Sequence, residues 1–83
     1  MKRRVDGLMV RDVGDEVLLL DIESNQVHQL NSTASFIWRN CDDGRSAEEI
    51  AILLASEFDV EEDSAREDVT RTLRLLRELN VLE

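Results

Sequence analysis

Three short runs with strand character open the chain, and three stretches of helical periodicity close it. Leu8–Val13 and Glu16–Ile22 are rich in aliphatic and β-branched residues and meet at Gly14-Asp15. A glycine at the first central position of a two-residue hairpin accepts positive φ without steric cost. The second run contains Val17-Leu18-Leu19-Leu20, apolar at consecutive positions, so both faces of that strand call for cover. In a small domain that second cover comes from the N-terminal segment, a twin subunit or a partner. Glu23-Ser24-Asn25 is a polar turn, and asparagine tolerates the left-handed region. Gln26–Leu30 alternates as a third strand, which the hairpin order places at an edge beside a central second strand.

The helical half begins with no loop to spare. Asn31 or Ser32 offers an N-cap oxygen, and Ala34, Ile37, Trp38 and Cys41 recur at i, i+3, i+4, i+7. This predicts a first helix over about Ser32–Asp42, with Gly44 as a stop. Ser46-Ala47-Glu48-Glu49 is a capping box. It opens a second helix whose apolar face holds Ala47, Ile50, Ala51, Leu54 and Phe58. A third helix over about Asp63–Leu79 carries Ala65, Val69, Leu73, Leu76 and Leu79 on one stripe. Asn80 suits a left-handed helix end, after which Val81 and Leu82 fold back on the core. The order β-β-β-α-α-α predicts an α+β fold, a three-stranded antiparallel sheet followed by three helices in a winged-helix-like arrangement. Residues 8–83 form the domain, and Met1–Gly7 is expected to be a flexible arm.

Composition narrows the function classes. The chain has 83 residues, 42% of them hydrophobic, enough for one small core. No apolar run approaches the ~18 residues of a membrane span, and the basic start leads into no signal-peptide apolar region. A single cysteine fits a reducing compartment, so a cytoplasmic location with no membrane association is expected. Nineteen acids against ten bases give a net charge of −9, which argues against nucleic acid as a partner, since duplex binders present a basic face.

Candidate chemistry is sparse. His28 is the only histidine and lacks the partners that catalysis or metal binding needs. Cys41 lies on an apolar stripe, where a buried small side chain is expected, and Trp38 reads as core or groove floor. Asp42-Asp43 and Glu61-Glu62-Asp63 lack the spacing of a calcium loop and read as solvated charge. No phosphate loop, catalytic triad or metal-ligand spacing occurs, so a non-enzyme without cofactor is expected. Two places stand out as binding surfaces. The third strand offers an edge to which an extended peptide adds. On the third helix, Arg66, Arg74 and Arg77 share an arc of roughly 80° beside Leu73, a cationic rail suited to carboxylates. From the residues alone, a protected edge and a solvated helix face account for these features as well.

Leu30-Asn31-Ser32-Thr33-Ala34 followed by Ile37-Trp38 resembles the signature of PqqD-like proteins. Val17–Asp21, Asp43-Gly44-Arg45-Ser46 with Glu49-Ile50-Ala51, Asp68-Val69 with the leucines that follow, and Val81-Leu82-Glu83 extend the likeness in order, from about Leu8 to Glu83. That family includes the small protein of pyrroloquinoline quinone biosynthesis and the recognition elements for leader peptides of ribosomally made, post-translationally modified peptides. The resemblance implies an adaptor that takes a precursor leader peptide as an added strand, between the third strand and the last helix, and presents it to a modifying enzyme. That enzyme is a radical S-adenosylmethionine enzyme, a protease or a cyclase. The expected contacts are Val27, His28, Gln29 and Leu30 on the strand, and Arg66, Val69, Leu73, Arg74 and Arg77 on the helix. His28 stands where relatives usually carry tyrosine, a departure that bears on the peptide side chain accepted and on pH sensitivity. The other readings are a winged-helix DNA-binding transcription regulator and a dimer closed over Val17–Leu20; a monomer or weak homodimer is expected.

Overall fold

A computed structural model describes residues 1–42 and 44–83; Asp43, and with it the expectation of solvated charge there, lies outside the described residues. The elements are β1 (Leu8–Val13), β2 (Glu16–Asp21), β3 (Gln26–Leu30), α1 (Ser32–Arg39), α2 (Ala47–Phe58) and α3 (Glu62–Glu78). The sheet is antiparallel in the order β1-β2-β3, with β2 central and β3 at an edge. The α+β, strands-first arrangement expected from the sequence is the one observed.

Local chemistry sets each boundary. Val13 pairs with Glu16 across the Gly14-Asp15 turn, and Gly14 takes φ 65°. Asn25 adopts φ 58° in the second turn. The carboxylate of Asp21 accepts from the backbone N–H groups of Glu23 (3.1 Å) and Ser24 (3.2 Å), which shapes that turn from within. Asn31 caps α1 by accepting from the Ala34 N–H at 2.9 Å. The α2 capping box forms in both directions between Ser46 and Glu49. Asn80, at φ 63°, turns the chain so that Val81 and Leu82 return to the core.

Helix α1 is shorter than its sequence stripe suggests. The Asn40 side chain donates to the Phe36 carbonyl at 2.8 Å and closes the last turn. Cys41 therefore lies beyond the helix, yet it is fully buried, its thiol directed at the Ile37 carbonyl at 3.1 Å. Burial pushes its pKa up to about 11, so the thiol stays protonated.

The core gathers one face of the sheet and the apolar stripes of the helices around Trp38, with Leu19, Ile37, Ile50, Leu54 and Leu76 fully enclosed. Of the three helices, α1 runs closest to the sheet. The joint between them is made by Ser35, a buried hydroxyl that accepts from the Val17 N–H at 2.8 Å and donates to the Leu30 carbonyl at 3.1 Å.

The N-terminal segment, expected as a flexible arm, is fastened to the body. Arg3 pairs with Leu82; the Arg4 N–H donates to Val81 (3.0 Å) and the Glu83 N–H to Lys2 (2.8 Å). The Arg4 guanidinium grips Asp21 with two contacts of 2.8 and 3.1 Å and reaches Glu23 at 3.1 Å. Its hydrogen bonds hold the Asp21 carboxyl well below the usual carboxylate range. Arg3 lies over the Trp38 ring at 5.6 Å. Gly7 takes φ 72°, a left-handed backbone conformation that strains any residue with a Cβ, and it passes close to the Glu23 and Arg4 side chains.

Candidate functional site: an open strand edge beside a cleft

Among the described residues, strand β3 hydrogen-bonds to β2 on one side only, which leaves a row of backbone donors and acceptors along the other. Side chains alternate along it. Val27 is 62% exposed and Gln29 is exposed, the latter donating to Glu16 at 2.8 Å on the outer sheet face. His28 and Leu30 face inward. His28 is half-buried, and its Nε2 has no hydrogen-bond partner among the described residues.

Where β3 runs into α1, the chain borders a cleft of about 290 Å³. Asn31, Thr33 and Ala34 form one wall at the start of α1, and Asp68, Arg71, Thr72 and Leu75 form the other on α3. Leu75 is a large apolar side chain left 46% exposed there. Asp68 and Arg71 form an ion pair one helical turn apart. The cleft thus combines an apolar wall, two hydroxyl-bearing threonines and a charge pair beside an unpaired strand edge. An extended peptide added to β3 projects alternate side chains toward it.

The sequence-predicted site residues divide into three groups. Val27, His28 and Gln29 lie on the edge strand. Leu30, Val69 and Leu73, read from the sequence as peptide contacts, sit in the core at 4%, 1% and 4% exposure, where they back the cleft without lining it. Arg66, Arg74 and Arg77 occupy the opposite flank of α3. Arg66 donates to both Glu48 carboxylate oxygens at 2.8–3.1 Å and to Asp63 at 2.8 Å, tying α3 to α2; these bonds raise its pKa. Arg77 borders a depression with Arg45, Ser46 and Ala47 at the start of α2. Arg66 and Arg77 therefore face α2, whereas Arg74 lies on the outer surface of α3.

The reason is angular. At about 100° per residue, the core stripe Ala65-Val69-Leu73-Leu76 has one polar flank near Arg66-Arg74-Arg77 and another near Asp68-Arg71-Thr72-Leu75. From the sequence, the first flank is expected to face the groove; the fold turns the second toward β3. The cleft residues Asp68, Arg71, Thr72 and Leu75 were not among the sequence candidates, although Leu75, a leucine off the core stripe, carried a readable signal. Among the described residues no group of three side chains is placed to hold a metal ion, and no helix is long and apolar enough to cross a membrane.

Comparison with known proteins places this geometry. Over its full length the chain matches the structure described as TbiB1 in complex with the TbiA(beta) leader peptide, with 29% identity, a TM-score of 0.86 and 95% of that chain covered. Ninety-eight percent of the chain matches a lasso peptide synthetase B1 complexed with the leader peptide, with 32% identity, a TM-score of 0.82 and 93% of that chain covered. Curated protein sequences yield no match. The sequence profile of Coenzyme PQQ synthesis protein D (PqqD) matches residues 16–82, from β2 through the buried return after α3; the chain belongs to the PqqD family.

Proposed function

We propose that this protein is an adaptor that binds the leader of a ribosomally made precursor peptide and presents the remainder to a modifying enzyme. The observation that carries the reading is the open β3 edge beside the α1–α3 cleft, in a chain whose fold matches two proteins solved with leader peptides. The leader lies along β3 as a fourth strand. Backbone hydrogen bonds give affinity independent of sequence, and the cleft selects the side chains directed into it. Val27, His28 and Gln29 meet the peptide on the strand, and Asp68, Arg71, Thr72 and Leu75 meet it on the helix. With the leader held, the attached core segment is tethered near the enzyme at high effective concentration. The chain itself performs no chemistry in this reading.

The DNA-binding alternative is less well supported. The arginines of α3 that would meet phosphates include Arg66, which is held by Glu48 and Asp63, and Arg71, which is held by Asp68. They belong to a protein of net charge −9.

The test is a titration of isotope-labelled protein with the leader peptide encoded beside its gene, followed by amide chemical shifts. Shifts are expected along Gln26–Leu30 and at Asp68, Arg71, Thr72 and Leu75. Shifts confined to Arg66, Arg74 and Arg77, or none at all, would refute the site.

A further inference from the structure

The second face of the sheet has no cover. Pairing register puts Met9, Leu20 and Val27 in one row across the three strands and Arg11, Leu18 and Gln29 in the next, all on the face opposite α1. Met9 is 44% and Val27 62% exposed, and Leu18 and Leu20 are only partly buried. Arg11 stands exposed in the second row and makes no ion pair among the described residues, whereas Gln29 is held by Glu16. Two central leucines kept at a solvent face, with an uncommitted guanidinium beside them, mark a surface for another molecule.

Area and continuity decide which molecule. Three strands at ~4.8 Å spacing and about six residues long offer on the order of 300 Å². A stable protein pair needs roughly 800 Å² per partner, so two such faces do not hold two copies together on their own. A peptide added at β3 enlarges the surface, because its outward side chain beside Val27 continues the Met9–Leu20–Val27 row onto the peptide itself. The occupant is therefore one that contacts sheet and peptide together. We propose that the outer sheet face, centred on Met9, Arg11, Leu18 and Leu20, docks the leader-loaded protein onto its modifying enzyme, against an apolar patch bearing a carboxylate opposite Arg11. This inference rests on leader binding at β3.

The experiment measures binding of the modifying enzyme encoded beside the precursor to full-length protein saturated with leader. Met9→Lys and Arg11→Glu lie on β1, the strand farthest from the peptide. Each is expected to weaken enzyme binding by about tenfold or more while leaving leader affinity within about twofold. Val10→Lys, on the same strand but the other face, changes neither. Matched unfolding midpoints show that the variants are folded. Enzyme affinity unchanged in both Met9→Lys and Arg11→Glu overturns the proposal. So does concentration-dependent self-association in light scattering that Met9→Lys abolishes, because it puts a second copy on the face. Failure of leader binding is read separately, in the peptide titration before any enzyme is added.

Discussion

Replacing Ser35 with alanine removes one oxygen and the two buried hydrogen bonds it makes to the backbone. The hydroxyl is fully enclosed and stands between the Val17 N–H at 2.8 Å and the Leu30 carbonyl at 3.1 Å, where β2, β3 and α1 meet. Each buried polar group left unpaired costs about 1–3 kcal/mol, so Ser35→Ala is expected to cost about 3 kcal/mol in all. A domain of 83 residues has roughly 4–12 kcal/mol of total stability. The loss lowers Tm by roughly 12–24 °C, at about 4–8 °C per kcal/mol for this size. Urea unfolding followed by the fluorescence of Trp38, the single buried tryptophan, measures it directly. The midpoint is expected to fall by roughly 2 M with an unchanged slope. Ser32→Ala, which removes an exposed hydroxyl bonded to Asp15 at 2.7 Å, is the control and shifts the midpoint little. A loss below about 1 kcal/mol in Ser35→Ala refutes the reasoning. It would mean that the Val17 N–H and Leu30 carbonyl close on one another directly.

Arg71→Ala and Leu75→Ala are each expected to weaken leader binding by about tenfold, whereas Arg66→Ala leaves it unchanged; calorimetric titration distinguishes the two flanks of α3. Leu73→Ala costs about 2–5 kcal/mol of stability because it opens a void in the core, yet the folded fraction binds leader normally. Arg4 depresses the Asp21 carboxyl below its ordinary value of 3.8, so its stabilising contribution is complete above that pH and is lost as pH falls further. Asp21→Asn is expected to be less stable at neutral pH and to flatten the acid limb of a stability–pH curve. The Cys41 thiol, raised from 9.0 to about 11, stays neutral in the fold while the unfolded chain ionises. Stability therefore falls as pH rises from 9 toward 11, and a thiol reagent at neutral pH labels Cys41 only as fast as the protein unfolds.

Much of this architecture was legible because it rests on short-range chemistry. The Gly14-Asp15 hairpin, the Ser46–Glu49 capping box, the left-handed Asn25 and Asn80 and the buried return of Val81 and Leu82 each follow from a few neighbouring residues. Where α1 stops was not legible, since Asn40 caps it through a side-chain bond that periodicity does not reveal. Nor was the pairing of residues 2–4 with 81–83, which depends on the two ends of the chain meeting. The site divides in the same way. The edge position of β3 follows from hairpin order. The flank of α3 that faces it depends on how the helix is rolled about its axis, and an apolar stripe with charged residues on both sides does not disclose that.

The pairing of Arg3 with Leu82 also bears on the order of folding. The pairings within the sheet join strands adjacent in sequence, whereas this isolated bridge outside the sheet closes a loop of nearly the whole chain. Loop-closure entropy grows with the logarithm of loop length, and contacts of high sequence separation come late on the folding path. The hairpins that create the β3 edge are local and do not wait for the termini. Residues 2–4 and 81–83 are then expected to join last and part first. Amide exchange near residues 2–4 and 81–83 is expected to be faster than in β2, so the ends can open and reclose while the peptide-binding edge remains intact.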